Sequence, residues 1–136
     1  MAYTESKFLY KIYSLDNTAL TESAGNKYTW TPAKRWTVRG MVLVPTTAVG
    51  ACSTAAVVLA RWTPSGGSIS SRLTATATAS TGIGTEIAAT ESSTGYGTFD
   101  VDSGDTVIIR VNTAMSGGTT SGVVDVYLIL SEKPSA

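Results

Sequence analysis

Short runs of alternating apolar and polar residues, separated by turn residues, constrain this chain more than any other feature. The clearest run, 123–130, carries apolar side chains at every second position: Val124, Val126, Leu128 and Leu130. A period of two places those side chains on one face of a β-strand. No stretch has the 3.6-residue period of a helix. The sequence therefore predicts an all-β sandwich or barrel of about eight antiparallel strands with no substantial helix.

Two further segments support this prediction. In 106–112, Val107, Ile109 and Val111 alternate with Ile108 and Arg110. In 36–44, the alternation predicts one face made of Trp36, Val38, Gly40, Val42 and Val44. A glycine in the middle of a strand indicates a bulge or a close backbone approach.

Composition agrees with the fold class and limits the class of partner. Thr and Val are abundant and Gln is absent, and β-branched residues fit a pleated sheet better than a helix. With 136 residues the chain is long enough for one domain and short for two. The net charge of zero argues against a nucleic-acid partner, which needs a basic footprint.

The charges are unevenly distributed along the chain. Eight of the ten basic residues lie at or before Arg72, and seven of the ten acidic residues lie after it. Either strands pair these charges within one domain, or oppositely charged faces meet between subunits. The longest apolar run, 55–60, is far shorter than the ~20 residues that span a bilayer. The start of the chain lacks the apolar core of a secretion signal, and Cys52 is the one cysteine. We expect no membrane partner and synthesis in a reducing cytoplasm.

The side chains that most catalytic sites require are missing. The chain contains no histidine, which is the commonest general base and the commonest metal ligand. It also lacks a phosphate-binding P-loop and a nucleophile elbow. The sequence therefore predicts no enzyme activity, no catalytic residue and no cofactor.

One acidic cluster is a weak candidate for a metal site. Asp100, Asp102 and Asp105 provide three carboxylates within six residues, and Ca²⁺ prefers such oxygen ligands. The spacing does not match an EF-hand loop, because Val111 stands where the bidentate Glu belongs. The competing interpretation is a turn whose side-chain oxygens cap backbone N–H groups.

Aromatic residues are the other candidates for function, because most of the large rings precede residue 63. Trp36 and Trp62 lie inside predicted strands, where core packing is the simpler interpretation. Trp30 is close to Pro32 and to the basic residues Lys34 and Arg35, so we expect it to be partly exposed. With Tyr3 and Phe8, these residues form a candidate interface, where Trp, Tyr and Arg often carry much of the binding energy.

A resemblance adds to this reading. The segment from Tyr96 to Val111, in which the turn 102–105 joins two strands, resembles a hairpin common in viral jelly rolls. The Gly-rich stretch 116–122 and the closing strand to Leu130 extend the similarity. The chain is similar to small tailed-phage virion proteins, especially capsid decoration (cement) proteins.

The resemblance implies a virion protein that is assembled in the host cytoplasm and binds the major capsid protein. It implies a homo-oligomer, expected to be a trimer, that stabilises contacts between capsomers. It also implies an extended N-terminal arm, 1–7, before a single jelly-roll-like β-sandwich domain, 8–131, and a C-terminal tail, 132–136. The alternative is a carbohydrate- or receptor-binding β-sandwich module of a phage tail or fibre, with a glycan as its partner. A Ca²⁺-dependent lectin-like domain is a third possibility.

Overall fold

A computed structural model describes residues 7–21, 24–91 and 98–132. It confirms the all-β prediction, with twelve strands and one helix of five residues in the described ranges, so the strands outnumber the predicted eight. The elements are β1 (Lys7–Leu15), α1 (Asn17–Thr21), β2 (Gly25–Trp30), β3 (Trp36–Thr47), β4 (Cys52–Thr54), β5 (Ala56–Thr63), β6 (Ser70–Ala77), β7 (Ile87–Ala88), β8 (Thr90–Glu91), β9 (Phe99–Val101), β10 (Thr106–Thr113), β11 (Ser116–Gly118) and β12 (Val123–Glu132).

The strands form two antiparallel sheets and one small two-stranded ladder. Sheet A has the order β1-β12-β3-β7, and β9 also pairs with β3. Sheet B has the order β2-β10-β5-β6-β8, and β4 pairs with β11 in the separate ladder. The strands β1 and β2 are the edge strands on the same side of the sandwich.

Eight strands define the topology. Successive ladders join β1 with β12, β2 with β10, β3 with β9, and β5 with β6. The chain therefore runs as one long hairpin that turns back after β5 and then rolls up, so that its successive pairs fall in alternate sheets. This strand order is that of a double-sheet jelly roll.

The two inner faces form one core. The alternation predicted in β10 and β12 is confirmed, because every apolar residue named on those inner faces is at most 2% exposed. Beside β10 in sheet B, β5 and β6 contribute small side chains to the inner face: Ala56, Ala60, Ala75 and Ala77. The small alanines facing larger Leu, Ile and Met side chains let the two sheets approach and interdigitate.

The face predicted for β3 is wrong beyond Val38. The ladder with β12 pairs Val38 with Leu130 but Gly40 with Ile129, so Arg39 is an extra residue on β3. This bulge reverses the phase, because side chains alternate with a period of two. Met41 and Leu43 therefore join the core, while Val42 and Val44 lie on the outer face. The bulge expected near Gly40 is confirmed, and a Cβ there would lie 3.2 Å from Cδ1 of Ile129.

The end of the sandwich that carries α1 is closed by tight backbone contacts. Asp16 begins α1 by accepting a hydrogen bond at Oδ1 from the N–H of Ala19, at 2.8 Å, and Leu20 is fully buried. Gly118 has a φ of 65°, and a Cβ on it would lie 2.5 Å from the carbonyl oxygen of Ala51. Only glycine fits this position.

The first described strand begins at Lys7, and the last described strand ends at Glu132. Apart from these two residues, the predicted N-terminal arm and C-terminal tail lie outside the described residues. Within the described ranges, no helix is long and apolar enough to cross a membrane.

Candidate functional site

All three tryptophans lie at one end of the sandwich, which we call the tryptophan end. Trp30 is the last residue of β2, Trp36 is the first residue of β3, and Trp62 is next to last in β5. Antiparallel neighbours bring the end of one strand beside the beginning of the next. The fold therefore collects rings that are far apart in sequence.

Trp30 and Trp36 line an open groove of about 600 Å³ between the edges of the two sheets. Tyr10, Pro32 and Leu130 complete its apolar wall, and Lys34 lies at its rim. Pro32 is buried and lacks an N–H group, so it ends β2 and starts the 31–35 loop that closes one side. We call this feature the aromatic groove.

The groove remains open because β1 is an edge strand. Tyr10 pairs in register with Leu128, whose side chain faces the core, but Tyr10 itself is 53% exposed. Its ring stacks on Trp30 with centroids 6.5 Å apart and planes inclined by 27°. Leu9, on the opposite face of β1, is 54% exposed. Two adjacent large apolar residues are thus accessible at the mouth of the groove.

The rim of the groove carries a solvent-exposed ion pair. Nζ of Lys34 lies 3.0 Å from Oε1 of Glu132 and 4.7 Å from the centroid of the Trp36 ring. Both charged side chains are more than half exposed, so the ion pair contributes less than about 1 kcal/mol. A ligand could displace this pair at little cost. Nε of Arg35 lies 2.7 Å from Oδ1 of Asp102 and ties the 31–35 loop to the turn before β10.

The third tryptophan belongs to the core and not to the groove. Trp62 packs against Phe99 with centroids 5.8 Å apart, and the Arg72 guanidinium lies 4.8 Å above its ring. Core packing was the simpler interpretation for both Trp62 and Trp36. Both rings are half-buried and pack against the core, and Trp36 in addition forms part of the groove wall.

Asp105 is buried beneath the tryptophan end, and its carboxylate accepts three hydrogen bonds. Its Oδ1 accepts the N–H of Ser65 at 2.8 Å, and its Oδ2 accepts the N–H of Asp102 at 2.9 Å and Nε1 of Trp62 at 3.2 Å. Burial by itself raises the pKa of Asp105. The hydrogen bonds from Asp102, Ser65 and Trp62 favour the charged form more strongly and hold the pKa below its ordinary value of 3.8.

The other two carboxylates of the acidic cluster have different partners. Oδ1 of Asp100 accepts the hydroxyl of Thr37 at 2.8 Å, and Asp102 pairs with Arg35. Across the part of the chain that the structure describes, no three His, Cys, Asp or Glu side chains gather as possible metal ligands. The geometry of Asp105 is that of a turn-capping side chain.

The structure brings together only part of the predicted interface. Trp30 and Lys34 both line the groove, while Arg35 lies behind it on Asp102. The backbone of Phe8 pairs with Leu130, and Tyr3 lies outside the described residues. Sequence reasoning did not place Tyr10 or Trp36 at the site, because their approach to Trp30 depends on the pairing of distant strands.

A second depression, of about 650 Å³, lies at the opposite side of the sandwich and is lined by Arg39, Leu73 and Glu91 among others. None of the described residues that line it is aromatic. The aromatic groove is the better candidate for binding. No family model, no curated protein and no solved structure matches this chain.

Proposed function

We propose that this chain is a non-enzymatic structural protein of a virion. In this proposal it binds the outer capsid surface as a homo-oligomer, a trimer, and stabilises contacts between capsomers through the major capsid protein. The observation that carries the proposal is an accessible aromatic groove at one end of a jelly-roll sandwich. The fold alone supports a virion role weakly, because the jelly roll also hosts unrelated functions.

The groove has the properties of a protein-binding anchor. Tyr10 and Trp30 are large, stiff rings that can bury much apolar area with little loss of side-chain entropy. Interface residues that dominate binding energy are commonly Trp, Tyr and Arg in partly preformed pockets. The exposed Leu9 beside them extends the apolar surface towards the free edge of β1.

The uneven distribution of charge along the chain gives weaker support for association between subunits than the aromatic groove does. The basic first half and acidic second half do not form two opposite faces, because successive strands alternate between sheets. Lys11 pairs with Asp125 at 3.3 Å, and Lys34 pairs with Glu132, each joining the two halves within one molecule. Pairing within the domain therefore accounts for part of the asymmetry.

Co-sedimentation with capsids that lack this protein tests the proposal. The variant Trp30→Ala is compared with Ile83→Ser, which removes an apolar side chain that is 70% exposed at the opposite end. We expect Trp30→Ala to abolish co-sedimentation and Ile83→Ser to retain it. Light scattering should give three times the chain mass for the wild type. A monomer that does not bind capsids contradicts the proposal.

A carbohydrate- or receptor-binding module of a phage tail or fibre is the second candidate. Tyr10 and Trp30 favour it, because an exposed ring and a half-buried ring inclined by 27° to each other can stack on the apolar faces of sugars. Glycan-array binding that disappears in Trp30→Ala would support this function. A blank array for the wild type would leave protein assembly as the better account.

A further inference from the structure

Among the described residues, the outer face of sheet B carries positive charge without a matching negative charge. Side chains at Val57, Leu59 and Arg61 of β5, and at Ile108 and Arg110 of β10, point away from the core and are half-buried. Within the described residues, Glu91 is the one acid in the strands of this sheet. It pairs with the buried Leu73, which places it on the other face.

The strand register brings the two arginines together. Arg61 lies opposite Ile108, and Arg110 lies opposite Leu59. The arginines are therefore diagonal neighbours on adjacent strands, with Cβ atoms roughly 7 Å apart. Arg110 donates from Nη1 to Oδ1 of Asn26 at 3.2 Å and from Nε to Oδ1 of Asn112 at 3.4 Å. Both partners are neutral amides, and no ion pair within the described residues involves Arg61 or Arg110.

Arg61 adds an independent observation. Its Nε is buried, and among the described residues no atom accepts a hydrogen bond from it. A buried donor without an acceptor is costly, and guanidinium donors are normally satisfied by carboxylates or carbonyls. A carboxylate approaching the Nε edge could form two parallel hydrogen bonds, once the flexible Arg61 stem lifts from the sheet.

We propose that the outer face of sheet B binds the surface of another protein that carries carboxylates among apolar side chains. Arg61 and Arg110 would donate to the carboxylates, and the partner's apolar groups would cover Val57, Leu59 and Ile108. This inference goes beyond the proposed function, because it assigns a second surface, separate from the aromatic groove. It holds whether or not the protein is part of a virion.

The observations favour an acidic protein over two other partners. A nucleic acid needs a wider basic footprint than two arginines, and it would leave the aliphatic residues between them uncovered. A second copy that presented the same face of sheet B would oppose arginine to arginine, because the described strands place no acid on that face.

The test measures fluorescence anisotropy of a labelled peptide of alternating glutamate and valine at low ionic strength. We expect the wild type to bind it and the double variant Arg61→Gln, Arg110→Gln to bind about tenfold more weakly. The conservative pair Arg61→Lys, Arg110→Lys keeps the charge but loses the two-bond geometry, and should fall between them. Circular dichroism confirms that each variant is folded.

The matched control is the double variant Lys11→Gln, Arg39→Gln, which makes the same change of net charge on sheet A and should bind within about twofold of the wild type. An equal loss in both double variants would show that only net charge matters and would overturn the proposal. Tighter binding of a DNA duplex than of the peptide would overturn it in favour of a nucleic acid. Absence of peptide binding by the wild type would also overturn it, and none of these outcomes bears on capsid binding through the groove.

Discussion

Replacing Asp105 with Asn should destabilise the protein by about 3 kcal/mol at neutral pH. The carboxylate receives three hydrogen bonds, two at Oδ2 and one at Oδ1. An asparagine has one acceptor oxygen, so its amide NH₂ must face at least one N–H that donated before. Loss of one bond to a charged group costs about 1.5–3 kcal/mol, and the remaining bonds weaken when the charge is removed.

The effect should depend on pH in a defined direction. Because the folded state holds the pKa of Asp105 below 3.8, the unfolded state binds more protons between the two values. The carboxylate therefore contributes its full stability above about pH 3.8, and this contribution is lost as the pH falls through the folded pKa. The stability difference between the wild type and Asp105→Asn should shrink in acid.

Urea denaturation at neutral and acidic pH measures both quantities. The control is Asp102→Asn, the same substitution in the same turn at a side chain that is 55% exposed. It should cost less than about 1 kcal/mol, because exposed ion pairs contribute little. A neutral-pH loss in Asp105→Asn no larger than in the control, or a difference that does not shrink in acid, would refute the reasoning.

Two further predictions concern stability. In thermal unfolding, Gly118→Ala should lower the free energy of unfolding more than Gly84→Ala, since both glycines have a positive φ but only a Cβ on Gly118 would lie 2.5 Å from the carbonyl oxygen of Ala51. We expect a loss of about 1 kcal/mol for Gly84→Ala and of several kcal/mol for Gly118→Ala. Equal losses would contradict the steric explanation. Arg61→Met should raise the free energy of unfolding by about 1 kcal/mol, because it removes the unpaired Nε–H and keeps the apolar stem. A decrease in denaturation midpoint would show that Arg61 has a stabilising contact.

The sequence predicted those parts of the fold that depend on local pattern. In β10 and β12 the side chains alternate without interruption, so the period alone identifies the inner face. In β3 a single extra residue at Arg39 reversed the phase, and no local pattern reports how far such a bulge shifts the remaining strand. Gly40 indicated that the strand is irregular, but it did not indicate that Met41 would face the core and Val42 the outer face.

The candidate site was less predictable, because its geometry depends on topology. Trp30 and Lys34 were expected near an interface from their neighbours in sequence. Tyr10 reaches Trp30 only because the rolled hairpin places β1 and β2 at the same side of the sandwich. Asp105 was predicted to serve a turn, but its partners Ser65 and Trp62 are at least 40 residues away.

The position of the last strand has a consequence for biosynthesis. β12 lies between β1 and β3, so a nascent chain that has not yet reached Val123 leaves β1 without the one described strand that it pairs with. Domains stabilised mainly by such non-local pairings fold slowly, and their apolar strands stay exposed until the pairing is complete. Folding of sheet A should therefore follow release of residues 123–132 from the ribosome. A chain shortened to Gly122 should remain open to proteolysis, however long it is incubated.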